Sequence, residues 1–308
     1  MQGPIRGLVA ATFTPFYRDG SLNLAAIPAM VDFLLSQRIG GLYVLGSTGE
    51  GLSLTTEERQ SVAEAFVSAA AGRLPVLIQV GAECLTQARQ LAQHAAEIGA
   101  DGISAVCPVY FKPDSISTLV DCMAFIAGGA PKLPFYYYHI PAATGVSLDP
   151  REFLRHSEGR IPNLQGIKFT APQMHDFQAC VEFAEGRYDI LWGLDEMLLA
   201  GLAAGARGAV GSTYNFAAPI YQKLWQAWEQ GDIVAARRQQ GHAQALVRTF
   251  VPYGPRGSQK AIMSLIGQDC GSPRLPIAEL SASRLEALRA ELQAIGFFEW
   301  IGQSPVLQ

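Results

Sequence analysis

Charge is what this sequence has least of. Asp, Glu, Lys and Arg make up 16% of its 308 residues, against a hydrophobic share of 49%. That balance excludes a disordered chain and predicts a large buried core. Net charge is -4, and no run of Lys or Arg is present. A nucleic-acid footprint and a basic membrane-surface patch are therefore not expected. No stretch reaches the ~18 uninterrupted apolar residues of a membrane span. The N-terminal Met-Gln-Gly-Pro-Ile-Arg lacks an apolar signal core, so a cytoplasmic location is expected. The five cysteines, Cys84, Cys107, Cys122, Cys180 and Cys270, are odd in number and widely spaced. Without a CxxC pair they read as buried free thiols. His94, His139, His156, His175 and His242 show no ligand spacing, so no metal is expected.

What is present is a regular alternation. Short apolar runs cover Gly7–Phe13, Gly41–Leu45, Pro75–Val80, Gly102–Val106, Pro134–Tyr138, Gln165–Phe169, Asp189–Gly193 and Gly208–Gly211. They are continuous rather than alternating, as in parallel strands covered on both faces. Helical patterns fill the gaps at Leu24–Gln37, Thr86–Ile98, Ser115–Ala127, Pro150–His156, Pro172–Glu185, Glu196–Ala204 and Ala217–Glu229. Another helix opens on Thr55, whose spacing to Glu58 is that of a capping box, and runs through Ala71. Eight strand–helix units predict a closed (β/α)8 barrel over residues 1–230. An open doubly wound sheet ranks behind, because the first turn carries no GxGxxG. Beyond Gly231 the strands stop. Asp232–Phe250, Ser258–Ile266 and Ser281–Ile295 predict a helical extension over 231–301 without a core of its own. Pro252, Gly254, Pro255 and Gly257 break the chain between the first two helices. Gly302–Gln308 reads as a tail.

In such barrels the chemistry sits at the C-terminal ends of the strands. Lys168 is the most informative residue there. Lys112, Lys132, Lys223 and Lys260 fall in loops or helices, where solvated cations are expected. Lys168 alone lies inside an apolar strand, between Ile167 and Phe169. Desolvation lowers an amine's pKa and frees it to attack a carbonyl. The structural alternative is a salt bridge inside the barrel, with Asp195 or Glu196. Tyr138 ends the fifth strand and could relay protons, unless it is an interior tyrosine with a satisfied hydroxyl. Alternation puts Tyr136 on the same side and Tyr137 on the other. Gly46-Ser47-Thr48-Gly49 could cradle a carboxylate or equally cap a helix. Asp195 and Glu196 could accept hydrogen bonds from a polyhydroxylated substrate, or cap the next helix. No phosphate loop is apparent.

Together GSTGE, YYYHIPAATG, GIKFT, GLDE and GSTYN resemble the N-acetylneuraminate lyase branch of the dihydrodipicolinate synthase and pyruvate-aldolase superfamily. The resemblance runs from about Gly7 to Leu275. It implies a cofactor-free, usually homotetrameric barrel that cleaves N-acetylneuraminate to N-acetylmannosamine and pyruvate through a lysine Schiff base. By resemblance, Lys168 forms the Schiff base and Tyr138 is the acid/base. Ser47 and Thr48 anchor the pyruvate carboxylate, Ser47 also relaying protons with Tyr138. Tyr110 reaches into a neighbouring subunit's site. Thr170, Gly193, Asp195, Glu196 and Ser212 hold the sugar's hydroxylated tail. Dihydrodipicolinate synthases typically place an arginine where Ala143 stands, which argues against that activity. Pro255 departs from the aromatic that some bacterial lyases place nearby. The competing activities are an aldolase or dehydratase of a 2-keto-3-deoxy sugar acid, and a binding protein on a catalytically retired barrel. The latter predicts loss of Lys168, Tyr138 or Ser47, all of which are present.

Overall fold

The structure, a computed structural model, describes residues 4–305. Residues 1–3 of the N-terminal reading and 306–308 of the tail lie outside them. Eight strands close in sequence order into one parallel barrel. They are β1 (Gly7–Ala11), β2 (Gly41–Val44), β3 (Val76–Gln79), β4 (Gly102–Val106), β5 (Phe135–His139), β6 (Leu164–Phe169), β7 (Asp189–Trp192) and β8 (Gly208–Gly211). The barrel with C-terminal helices read from the sequence is the architecture observed.

Each strand feeds two apolar layers, which is why the runs are continuous. Val9, Tyr43, Leu77, Val106, Tyr136, Tyr138, Leu191 and Val210 fill the barrel. Their neighbours, among them Leu42, Ile78, Tyr137, Ile167 and Trp192, face the helices. Asp189 closes the floor. Its carboxylate accepts from the Ile5 N–H at 2.9 Å and the Tyr136 hydroxyl at 2.8 Å.

Helix Thr56–Ala70 carries the predicted capping box. Thr55 accepts from the Glu58 N–H, and Glu58 accepts in return from the Thr55 N–H. Several boundaries differ from the sequence reading. The first strand stops at Ala11, not Phe13. The helix expected over Pro172–Glu185 spans Met174–Glu182, because Ala184 and Glu185 turn left-handed. The helix after β8 starts at Tyr214, with a kink at Ala217 where Pro219 removes a backbone donor. A short helix at Pro141–Thr144 was not foreseen. Cys84 is exposed and Cys122 only half-buried, so buried thiols hold for Cys107, Cys180 and Cys270 alone.

The last helices are Ile233–Phe250, Pro255–Leu265, Ala282–Ala294 and Phe297–Trp300. Their buried Leu246, Phe250, Leu288 and Phe297 merge into the layer outside the strands. The break between the first two is narrower than the sequence suggested. Pro255 opens the second helix, where a missing N–H costs nothing, and Gly257 lies inside it.

Lys260 of that helix corrects another expectation. It is not a solvated cation but 3% exposed. Its ammonium meets Glu50 at 3.0 Å and donates to the carbonyls of Thr14 at 2.9 Å and Ser272 at 3.2 Å. Glu50 also accepts from the Arg274 N–H at 2.9 Å. The loop after β2 is thereby fastened to the C-terminal helices.

Candidate active site

Lys168 sits on β6 with Tyr138 of β5 directly beside it in register. It is 4% exposed. Among the described residues no carboxylate lies within ion-pair distance of it, so the salt bridge to Asp195 or Glu196 is not formed. Its Nζ instead lies 3.8 Å from the ring centre of Tyr43 and 3.9 Å from that of Tyr138. Ring faces attract a cation but do not replace its hydration. Burial therefore holds the amine below the ordinary lysine value, opposed by the Tyr138 hydroxyl and Asp195 and assisted by the Arg256 charge.

Tyr138 belongs to the same interior layer. Burial alone would raise its phenol. The adjacent Lys168 charge, helped by a hydrogen bond with Ser47, brings it below the usual tyrosine value. The Ser47 and Tyr138 hydroxyls are 3.4 Å apart. Tyr43 packs edge-on to Tyr138, with ring centres 5.7 Å apart, and its hydroxyl is tied to Ser104 at 3.0 Å. It thus braces the pair from below.

Ser47 and Thr48 stand in a turn between two left-handed residues, Leu45 (φ 64) and Glu50 (φ 55). Non-glycine residues rarely hold that conformation unless surroundings impose it. Here the Glu50 carboxylate is fixed by Lys260, and Thr14 donates to the Gly49 carbonyl at 2.6 Å. A β-carbon on Gly51 would collide with the Leu45 carbonyl, so the turn can close only with glycine there. The turn caps no helix through its side chains.

Neither Asp195 nor Glu196 caps the following helix. The Asp195 carboxylate accepts from the Thr213 N–H at 2.9 Å and its hydroxyl at 2.7 Å. Burial pushes it up to about 6 against those two bonds. Gly211 makes room, since a β-carbon there would strike that carboxylate.

A cavity of about 240 Å³ opens above Lys168. Ser47, Thr48, Tyr138, Thr170, Gly193, Asp195, Glu196 and Ser212 all line it with Lys168. Tyr110 does not. It is 79% exposed, beside Phe111 at 82%. Glu83 holds their loop by accepting from the N–H groups of Val109, Tyr110 and Phe111 at 2.9, 3.1 and 3.0 Å. His139 points the other way, against Tyr137 and Phe169, so alternation removes it from the cavity.

The sequence reading marked only Pro255 on one wall and missed the rest of it. Val247, Phe250, Val251, Pro255, Arg256 and Gln259 come from the helices beyond the barrel. Arg256 and Gln259 are three apart, hence on one helix face, but nothing local in the sequence marks where that face points. Gln259 donates to the Ser212 hydroxyl at 3.1 Å, while its Oε1 has no partner. The buried Thr170 hydroxyl is likewise unpartnered. Tyr43 was readable from strand alternation, since its neighbours Leu42 and Val44 face the outer layer, but was not singled out.

The arrangement offers a deprotonatable amine, a phenol beside it and a hydroxyl chain leading away. Unpartnered polar atoms stand on the far side. Comparison with known proteins identifies the family. Residues 4–295 match the model of the dihydrodipicolinate synthetase family. The chain is 41% identical to the N-acetylneuraminate lyase of Rattus norvegicus over 303 residues, 97% of this chain and 95% of that one. The N-acetylneuraminate lyase structure from Proteus mirabilis superposes with a TM-score of 0.93 at 40% identity, over 96% of this chain and all of that one. That of Aliivibrio salmonicida, a sialic acid aldolase, gives 0.93 at 37%, over 96% and 98%.

Proposed function

We infer the activity from one premise: the chain belongs to the dihydrodipicolinate synthetase family. It is an N-acetylneuraminate lyase, an aldolase that cleaves sialic acid to N-acetylmannosamine and pyruvate. The carrying observation within the molecule is Lys168, buried without an anion beside Tyr138.

In our proposal the Lys168 amine attacks the C2 carbonyl of the open-chain substrate, and loss of water gives an iminium. Ser47 and Thr48 hold the adjacent carboxylate. The Tyr138 phenolate takes the proton of the C4 hydroxyl, and the C3–C4 bond breaks. Its electrons pass into the iminium, leaving an enamine on the lysine and an aldehyde that departs as N-acetylmannosamine. Protonation at C3 and hydrolysis then release pyruvate. The lowered phenol and lowered amine suit these two proton demands. Thr170, Gly193, Asp195, Glu196 and Ser212 would take the hydroxylated tail, and the unpartnered Thr170 hydroxyl supports that reading.

We further propose a cytoplasmic homotetramer in which the exposed Tyr110 completes a neighbouring subunit's site. No helix among the described residues is long and apolar enough to cross a membrane. We also propose the division into a barrel to residue 230 and an extension over 231–301, with the extension supplying a cavity wall.

A substrate panel scored by pyruvate release tests the assignment. N-acetylneuraminate is expected to turn over best, ahead of 2-keto-3-deoxygluconate. The reverse order would reject it in favour of a sugar-acid aldolase. Borohydride added with pyruvate is expected to leave a covalent adduct on Lys168; no adduct would sink the Schiff-base route.

A further inference from the structure

The wall contributed by the last helices carries a charge that the reaction above does not use. Arg256 lines the cavity and is half-buried. Among the described residues it makes no hydrogen bond and no ion pair. Glu196 shares the cavity lining but forms no ion pair with it. A guanidinium presents five donors in a planar fork, and none of those on Arg256 meets an acceptor among the described residues. Its charge reaches the reacting pair, since it helps lower both Lys168 and Tyr138. The substrate's own carboxylate is provided for elsewhere, at Ser47 and Thr48.

Position also matters. Arg256 occupies the first turn of Pro255–Leu265, one turn before Gln259, whose amide oxygen is also unpartnered. Both belong to the wall contributed by the extension, while the carboxylate anchor belongs to the turn after β2.

We propose that Arg256 is a specificity residue that takes a second anionic group, a carboxylate or a phosphate monoester, carried by the substrate's sugar portion. The proposal rests on the lyase reading and widens it. Besides a neutral amino sugar, the aldehyde half would include sugar acids or sugar phosphates. The bond made and broken is the same C3–C4 bond. A planar fork matches either anion in a two-point contact, which a lone hydroxyl cannot offer.

The test runs the reaction towards condensation, with pyruvate and three acceptors: N-acetylmannosamine, N-acetylmannosamine 6-phosphate and mannuronic acid. The ratio of kcat/KM for a charged acceptor to that for the neutral one is compared between the intact enzyme and Arg256→Gln. We expect the ratio to fall about tenfold or more, the effect of losing a hydrogen-bonded charge pair. A fall for both charged acceptors supports a general anion site, and a fall for one alone supports that anion. An unchanged ratio for both overturns the proposal and leaves Arg256 a donor to neutral hydroxyls. Calorimetric titration with the same acceptors reads Arg256 without turnover. A selective loss of charged-acceptor affinity in Arg256→Gln supports the anion site even if no acceptor condenses, an outcome that would sink the lyase reading instead. Equal affinities in both proteins overturn it.

Discussion

Two lysines are buried to nearly the same depth in this molecule, and their surroundings differ. Lys260, at the seam between barrel and extension, has an acceptor for each of its three N–H bonds, one of them the Glu50 carboxylate. Lys168, at the barrel centre, has two ring faces and no carboxylate. Burial alone therefore does not make a lysine reactive. Burial without compensation does, because the desolvation cost then falls on the charged form. One residue fastens the walls of the cavity together, and the other is free to become a nucleophile.

The strongest way to break this contrast is to remove each amine in turn. Lys168→Met is expected to lower pyruvate release on the order of 10⁴-fold or more, as for other covalent catalysts. Its melting temperature should hold or rise, since an uncompensated charge has gone. A clear loss of stability would mean that Lys168 is structural. Tyr138→Phe sharpens the pair by one atom. Imine trapping by borohydride should persist while cleavage falls about 10²–10⁴-fold. A near-normal cleavage rate would remove Tyr138 from the proton path.

Lys260→Met should do the opposite of Lys168→Met. It leaves Glu50 buried and unpaired, at a cost of roughly 3–5 kcal/mol in denaturant melts. Pyruvate should still be trapped on Lys168. Pairing the change with Glu50→Leu should recover much of the stability, and no recovery would show that the carbonyl contacts matter more than the charges.

Smaller effects follow from pH. Lys168 is lowered in the fold, so its contribution to stability is complete above 10.5 and lost as pH falls through the folded value. Asp195 has the reverse sign. Raised from 3.8 to about 6, it favours the fold fully below 3.8 and loses that contribution as pH rises through 6. Asp195→Asn should flatten the stability profile between those two values, and an unchanged slope would show that its burial is not the cause. Ser47→Ala should be mildest. Losing a hydroxyl that would contact the carboxylate as well as Tyr138, worth about 1.5–3 kcal/mol, predicts a roughly ten- to hundredfold drop in cleavage.

Lys168 was visible in the sequence because a strand of Gly166, Ile167 and Phe169 leaves no room for a solvated cation. Lys260 was not. Its helix pattern is ordinary, and its partner Glu50 lies more than two hundred residues away. The same difference runs through the molecule. Strands and the cavity's inner face follow from short-range pattern, because strand ends point at one rim. Arg256 and Gln259 escaped, because the docking of the last helices depends on contacts between distant segments. Cys84 escaped for a smaller reason: an apolar residue type says little about exposure at the cap position just before a helix.

The register that sets Tyr138 opposite Lys168 has a consequence for how such an enzyme can diversify. Their separation is a property of adjacent hydrogen-bonded backbones, about 4.8 Å apart in any sheet. It does not depend on the rim loops or on the last helices. Mutation can reshape the outer wall, residue by residue, and trial new acceptors without resetting the spacing of the lysine and tyrosine proposed to break the carbon–carbon bond.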